Sequence, residues 1–212
     1  MRKPRPTRPR IPTPDGIPFA GLTGGIGAGK STALNALEGL GCAVLSADAV
    51  VHEIQSSAEI VRELVGRFGG RVAPEGKLDR QELAQAAFAD DDSRAWLEAL
   101  IWPRVGARIA EWSKGLGEVQ PRPRLAVVEV PLLFESGMDA AFDTTICVTA
   151  AESLRRERAE ARGHAALDER AARQLSPGEK EALAEWTVTN NGSVSELEVE
   201  LEAVISRIEG KA

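Results

Sequence analysis

The stretch Gly24-Gly25-Ile26-Gly27-Ala28-Gly29-Lys30-Ser31-Thr32 decides how this chain is read. It follows a short apolar run, Phe19-Ala20-Gly21-Leu22-Thr23, and opens a helical pattern near Ser31. A strand, a glycine-rich turn ending in Gly-Lys-Ser and then a helix form the context in which such a turn holds phosphate. Glycines let backbone N–H groups approach phosphate oxygens without a Cβ in the way. The helix N-terminus adds unpaired N–H groups and a partial positive charge. Gly25, Gly27, Ala28, Gly29, Lys30, Ser31 and Thr32 are therefore the expected nucleotide-binding residues. Lys30 is placed to reach the β- and γ-phosphates, and the Ser31 hydroxyl to ligate Mg²⁺. The sequence implies a site for a nucleoside triphosphate, with ATP and Mg²⁺ as the expected pair.

Outward from this loop, strand-like and helix-like segments alternate, which predicts an α/β fold with a parallel sheet and helices on both faces. The expected strands are Phe19–Thr23, Ala43–Ser46, Leu125–Val130, Thr144–Thr149 and Trp186–Thr189, and Ser31–Leu40 is the first helix. Two helical insertions interrupt the alternation. Residues 57–117 hold helical patterns at Glu59–Phe68, Asp79–Phe88 with Asp79 as cap, and Asp91–Leu116, where Pro103 is expected to kink or interrupt the helix. Residues 151–185 are helical and carry Arg155, Arg156, Arg158, Arg162, Arg170 and Arg173.

Composition sets the outer bounds. The chain has 212 residues, 43% hydrophobic and 27% charged, the profile of an ordinary globular domain. No apolar run approaches the roughly 18 residues of a membrane span, and residues 1–18 lack the apolar centre of a signal peptide. Cys42 and Cys147 read as buried free thiols, and so few cysteines beside a phosphate loop suit a reducing cytoplasm. Five cations against Asp15 give residues 1–18 a charge of +4, so the −6 of the chain leaves −10 for the rest. An acidic body argues against nucleic acid as a partner. Six prolines in the same eighteen residues read as a disordered arm over 1–17.

A phosphate loop needs an acceptor side. Asp48 follows the second strand at the carboxyl edge of the sheet, where ligands of open α/β sheets bind. It suits a base for an attacking hydroxyl or a water-mediated Mg²⁺ contact, and equally a helix N-cap. Glu129 ends the third strand where a carboxylate can orient metal-bound water, or else faces solvent as a strand-end charge. Arg158 and Arg162 share one helical face and are expected to pair with the transferring phosphoryl oxygens. Interleaved Glu152, Glu157 and Glu160 also fit a solvated, salt-bridged helix. His52 and His164 lack metal-ligand spacing and read as surface residues.

Three classes of function fit the loop alone. A switch GTPase needs an Asn-Lys-x-Asp segment, which Thr189-Asn190-Asn191-Gly192 does not supply. A non-catalytic sensor would need neither Asp48 nor an arginine-rich flap. A small-molecule kinase uses all of these features, because a closing flap excludes water while phosphate moves.

Within that class the chain resembles dephospho-CoA kinase. The resemblance rests on Thr23-Gly24-Gly25-Ile26-Gly27, Ala47-Asp48, Phe68-Gly69 with Gly76-Lys77-Leu78-Asp79-Arg80, and Pro131-Leu132-Leu133-Phe134-Glu135. Gln174, Glu179-Lys180 and Val188-Thr189-Asn190-Asn191-Gly192 agree with it. It implies a three-layer P-loop kinase fold with a five-stranded parallel sheet over residues 18–210. The core would be 18–56, 118–150 and 186–210, with a CoA-binding helical insertion at 57–117 and a lid at 151–185. It implies transfer of the ATP γ-phosphoryl group to the ribose 3′-hydroxyl of dephospho-CoA, with Asp48 at the position of the family's base. Lys30, Arg158 and Arg162, read from the loop and flap, complete the expected catalytic set, and a monomer is favoured while the oligomeric state stays open. A nucleoside-monophosphate kinase is the alternative. The chain departs from the family pattern in four places. Ser46 replaces a first aspartate, Trp102 a histidine before Pro103, Glu185 an aspartate before the last strand, and Glu129 an aspartate near the Pro-Leu-Leu-Phe-Glu motif. Trp102 reads as core packing or as a stacking platform.

Overall fold

A computed structural model describes residues 10–14, 16–161 and 174–211. Five strands form one sheet: β1 (Phe19–Gly24), β2 (Ala43–Ser46), β3 (Ala126–Glu129), β4 (Thr144–Thr149) and β5 (Trp186–Thr189). Their order is β2-β3-β1-β4-β5, and every neighbouring pair is parallel. All five therefore end on the same edge, and that edge carries the phosphate loop. The helices are α1 (Lys30–Gly39), α2 (Ala47–Gln55), α3 (Ala58–Phe68), α4 (Arg80–Ala87), α5 (Asp91–Gly115), α6 (Glu152–Ala161), α7 (Pro177–Leu183) and α8 (Val194–Glu209). Each expected strand is present, three of them with the expected ends, because short β-branched runs between breakers leave little freedom.

The described residues form two compact units, one running up to Ser46 and resuming at Trp112, the other spanning Ala47–Glu111. In the first, alternate strand residues face opposite layers. Ala20, Leu22, Val127, Ile146, Val148 and Val188 pack with Leu34 and Leu37 of α1 and Leu197, Leu201 and Ile205 of α8. On the other face Phe19 meets the Phe142 ring at 4.7 Å and Trp112 at 6.4 Å between centroids. Across the surface of this unit, Arg124 grips α8 with two bonds to Glu202 and two to Glu209, at 2.8–3.0 Å.

The second unit is helical, and Ile60, Leu64, Val72, Leu83, Ile101, Val105 and Ile109 are among its buried side chains. Asp79 caps α4 as expected, accepting from the N–H groups of Gln81 and Glu82 at 2.9 and 3.0 Å. The unit begins earlier than residue 57, because α2 groups with α3 rather than with the sheet. Glu53 of α2 pairs with Arg108 at 3.5 Å, and His52, exposed as expected, contacts Arg80. It also ends earlier, at Glu111, because Trp112 belongs with Phe19. Pro103 does not interrupt α5, which runs through it as one helix of 25 residues. Pro103 and Ala99, whose carbonyl loses its usual partner, both lie on the exposed side, where that carbonyl is open to solvent. Trp102 is half-buried and stands outside the fully buried core.

The proline-rich segment also differs from a free tail where it is described. Arg10 pairs with Asp143 at 3.2 Å, the Ile11 N–H donates to the Ala141 carbonyl, and Ser113 Oγ donates to the Pro12 carbonyl at 2.9 Å. Prolines forbid a helix but keep their carbonyls, so an extended strap remains open to them.

Candidate active site

The phosphate loop spans the turn between β1 and α1. Gly27 and Gly29 hold φ of 75° and 92°, and Gly29 is the residue on which α1 starts. A Cβ at Gly27 would lie 2.2 Å from the Arg155 carbonyl oxygen, and one at Gly29 would lie 2.0 Å from Asn190 Nδ2. Both glycines are thus required twice, by conformation and by close approach. No side chain caps the first turn of α1 among the described residues, which leaves that helix end as a place for anionic oxygen. Lys30 Nζ donates to the carbonyls of Gly24 at 3.1 Å and Gly25 at 3.2 Å, folding its ammonium over the loop. The Ser31 side chain stands exposed in the first turn of α1, and Thr32 is half-buried beside it.

Other strand ends close around the loop. Asn190, directly after β5 and 5% exposed, donates from Nδ2 to the Ala28 carbonyl at 3.0 Å. Its own carbonyl accepts from the Arg158 guanidinium at 3.0 Å. Asn190 therefore joins the loop to α6 and sets the distance between Arg158 and Gly29. Arg155 stands at the loop as well. Its guanidinium bonds the Ala150 carbonyl at 3.1 Å, with one nitrogen 3.4 Å from where a Gly25 Cβ would be. Arg156 turns outward and pairs with Glu152, which is the solvated, salt-bridged arrangement. Arg162, expected one turn beyond Arg158, lies outside the described residues, as do His164, Arg170 and Arg173.

Glu129 is not a solvent-facing charge. It is 8% exposed and accepts a hydrogen bond from Ser46 Oγ at 3.0 Å across the β2–β3 register. Ser46 thus donates to Glu129, where an aspartate would set a second carboxylate beside it. Asp48 is exposed within the first turn of α2, so it is not the N-cap; a carboxylate there still complements the helix dipole.

The buried thiols take no part. Burial pushes Cys42 up to about 12, and burial together with the Glu181 charge pushes Cys147 up to about 11, so both stay protonated. No cluster of three metal-ligating His, Cys, Asp or Glu side chains exists among the described residues.

Two further residues belong to this edge, Asn190 and Lys180. The signal for Asn190 was its position one step past a parallel strand. For Lys180 it was only the Glu179-Lys180 pair within the resemblance, because a lysine in a short polar helix otherwise reads as solvated; it is fully buried.

Comparison with known proteins agrees with this geometry. A family model described as dephospho-CoA kinase matches residues 19–196. A Deinococcus radiodurans dephospho-CoA kinase is 38% identical over 98% of each chain. One from Moorella thermoacetica is 38% identical over 76% of this chain and 77% of its own. Among solved structures, a Thermus thermophilus protein superposes with a TM-score of 0.75 at 33% identity, covering 91% of this chain and 98% of its own. The dephospho-CoA kinase from Campylobacter jejuni gives 0.65 at 26% identity over 91% and 98%. The parallel sheet with its glycine loop is the P-loop kinase fold, and the chain belongs to the dephospho-CoA kinase family.

Proposed function

We propose that the chain transfers the γ-phosphoryl group of ATP to the ribose 3′-hydroxyl of dephospho-CoA, giving CoA and ADP, with the following division of roles. The loop N–H groups and the open first turn of α1 cradle the phosphates of ATP. Lys30 leaves the Gly24 and Gly25 carbonyls and follows the β- and γ-phosphate charge. Arg158, held at the loop by the Asn190 carbonyl, meets the charge spread over the transferring group, and Arg162, four residues on in the sequence, is assigned the same task. Asp48 accepts the proton of the attacking hydroxyl, and the helical unit 47–111 receives the rest of the acceptor. The Ser31 hydroxyl suits Mg²⁺, which takes one or two protein oxygens beside substrate phosphates. When bound, that ion neutralises charge developing on the phosphoryl oxygens.

One observation carries the reading: Asn190 ties a cationic side chain of α6 and the phosphate loop into one hydrogen-bonded unit. Such rigidity suits group transfer more than sensing, because it aims charge where charge develops. The test is a coupled ADP-release assay with dephospho-CoA, AMP, CMP and adenosine as competing acceptors. Turnover with dephospho-CoA alone is expected. Turnover with AMP or CMP would move the assignment to a nucleoside-monophosphate kinase, and acceptor-independent ADP release would remove it.

A further inference from the structure

Helix α7 has one buried side chain, and it is a lysine. Lys180 is 0% exposed, while the other six residues of α7 are half-buried or exposed. Its ammonium donates to the Pro131 carbonyl and pairs with Glu135 Oε1 at 3.1 Å. The same Oε1 accepts the Leu175 N–H at 2.8 Å, and Glu135 Oε2 is buried with no hydrogen-bond partner among the described residues. A second polar link joins this helix to the sheet, from Thr149 Oγ1 to Glu181 Oε1 at 2.5 Å.

A buried ion pair is a poor way to gain stability. Desolvating two charges offsets most of their attraction, and apolar pairs of similar size do as well or better. Its gain is direction, since Nζ and the carboxylate fix distance and angle where apolar contact tolerates sliding. Two features show what is aimed. Pro177, at the start of α7, lies 3.3 Å from where a Gly25 Cβ would stand, so the first turn of the helix sits against the loop at Gly25. The Pro131 carbonyl that Lys180 grips also accepts from Thr23 Oγ1 at 3.3 Å, and Thr23 leads directly into Gly24.

We propose that Lys180 and Glu135 act as positioning residues for phosphoryl transfer: their buried pair seats Pro177 on Gly25 and fixes the loop's entry at Thr23. Neither touches the reacting atoms. This rests on the kinase reading above and names what holds its phosphate loop in register.

The test compares wild type with Glu135→Gln, which keeps the volume and an acceptor, and with the double variant Lys180→Met plus Glu135→Leu, which replaces the pair by apolar groups. Melting temperature, kcat, KM for dephospho-CoA and the ATP-induced rise in melting temperature are measured for each. The double variant is expected to melt close to wild type while kcat falls about tenfold to a hundredfold, as displacement of a positioned group does. KM for dephospho-CoA should stay near its wild-type value. In Glu135→Gln, kcat should fall by a smaller factor at an unchanged melting temperature. Wild-type kcat in either folded variant overturns the proposal, as does a kcat loss in Glu135→Gln that only tracks a loss of folded protein. Should the double variant not fold, Glu135→Gln decides alone. Should wild type itself not turn over dephospho-CoA, the kinase reading fails separately. The ATP-induced melting shift then decides: a reduced shift in Glu135→Gln supports the lock, and an equal one overturns it.

Discussion

The phosphate loop and the helical unit of this chain are held by different means. In the sheet unit the phosphate loop is bounded by directional bonds: Asn190 to Ala28, Arg158 to Asn190, Lys180 to Pro131 and Glu135. In the helical unit the buried side chains are mostly apolar, and ion pairs such as Arg104 with Glu59, Arg108 with Glu53 and Arg71 with Glu82 lie at the surface. Directional bonds hold atoms to tenths of an ångström and suit the chemistry of a small, highly charged donor group. Apolar packing gives a unit its shape and leaves its surface free to follow a longer acceptor. If so, small substitutions around the loop should cost turnover out of proportion to stability, and substitutions in the helical unit should not.

The largest effect belongs to Lys30→Ala. Removing the ammonium that follows the β- and γ-phosphates should lower kcat/KM by about three orders of magnitude or more. The melting temperature without nucleotide should stay near wild type, since the Gly24 and Gly25 carbonyls that Lys30 bonds belong to its own loop. Loss of cooperative melting along with activity would show that the loop folds only with its lysine in place.

Asp48→Asn comes next, and it tests the one catalytic assignment that falls in the helical unit. The side chain is exposed in the first turn of α2, so its removal costs little stability. A fall in kcat of about two to four orders of magnitude, the range of general-base catalysis, is expected, with ATP affinity nearly unchanged. Equal kcat would take Asp48 out of the mechanism and leave the helical unit with binding alone.

Gly29→Ala should follow. The added methyl would meet Asn190 Nδ2 at 2.0 Å on a backbone with φ of 92°. Relieving that clash means moving Asn190, and with it Arg158. A stability loss above about 1 kcal/mol is expected together with weaker ATP binding. Restored ATP binding in the double variant Gly29→Ala with Asn190→Ala would show that the clash alone is responsible; no restoration would place the fault in the backbone angle.

These cases show where sequence was informative and where it was not. The loop residues and all five strands were legible because each rests on local chemistry: glycine at positive φ, β-branched runs, a lysine at a fixed spacing. Asp79 as a cap was legible for the same reason. The start of the helical unit at Ala47 was not, since the grouping of α2 with α3 is tertiary packing without a local mark. Nor was the burial of Lys180, which depends on Glu135 and Pro131, each more than forty residues away. The role of Ser46 became readable only once the β2–β3 register set it opposite Glu129.

The smallest expected effect separates the two kinds of ion pair. Arg124 holds Glu202 and Glu209 below the usual carboxylate range through hydrogen bonds, and those partners raise Arg124 well above its ordinary value in turn. A carboxyl whose folded pKa is depressed adds stability that is present above its unfolded pKa and is lost as pH falls through the folded one. Arg124→Ala should therefore lower the melting temperature by a few degrees at neutral pH, and the gap to wild type should close as pH drops below the ordinary carboxylate range. All three side chains are about a third or more exposed, so solvent limits the size of the effect, and added salt should shrink it further. Arg104→Ala, which breaks a single-contact pair with Glu59 and one bond to the Leu100 carbonyl in the helical unit, should move the midpoint less, and with little change across pH. If both variants lose the same few degrees with the same pH profile, the Arg124 grip is no more than a surface pair. The contrast between a bonded sheet unit and an apolar helical one would then apply only to the loop and its immediate neighbours.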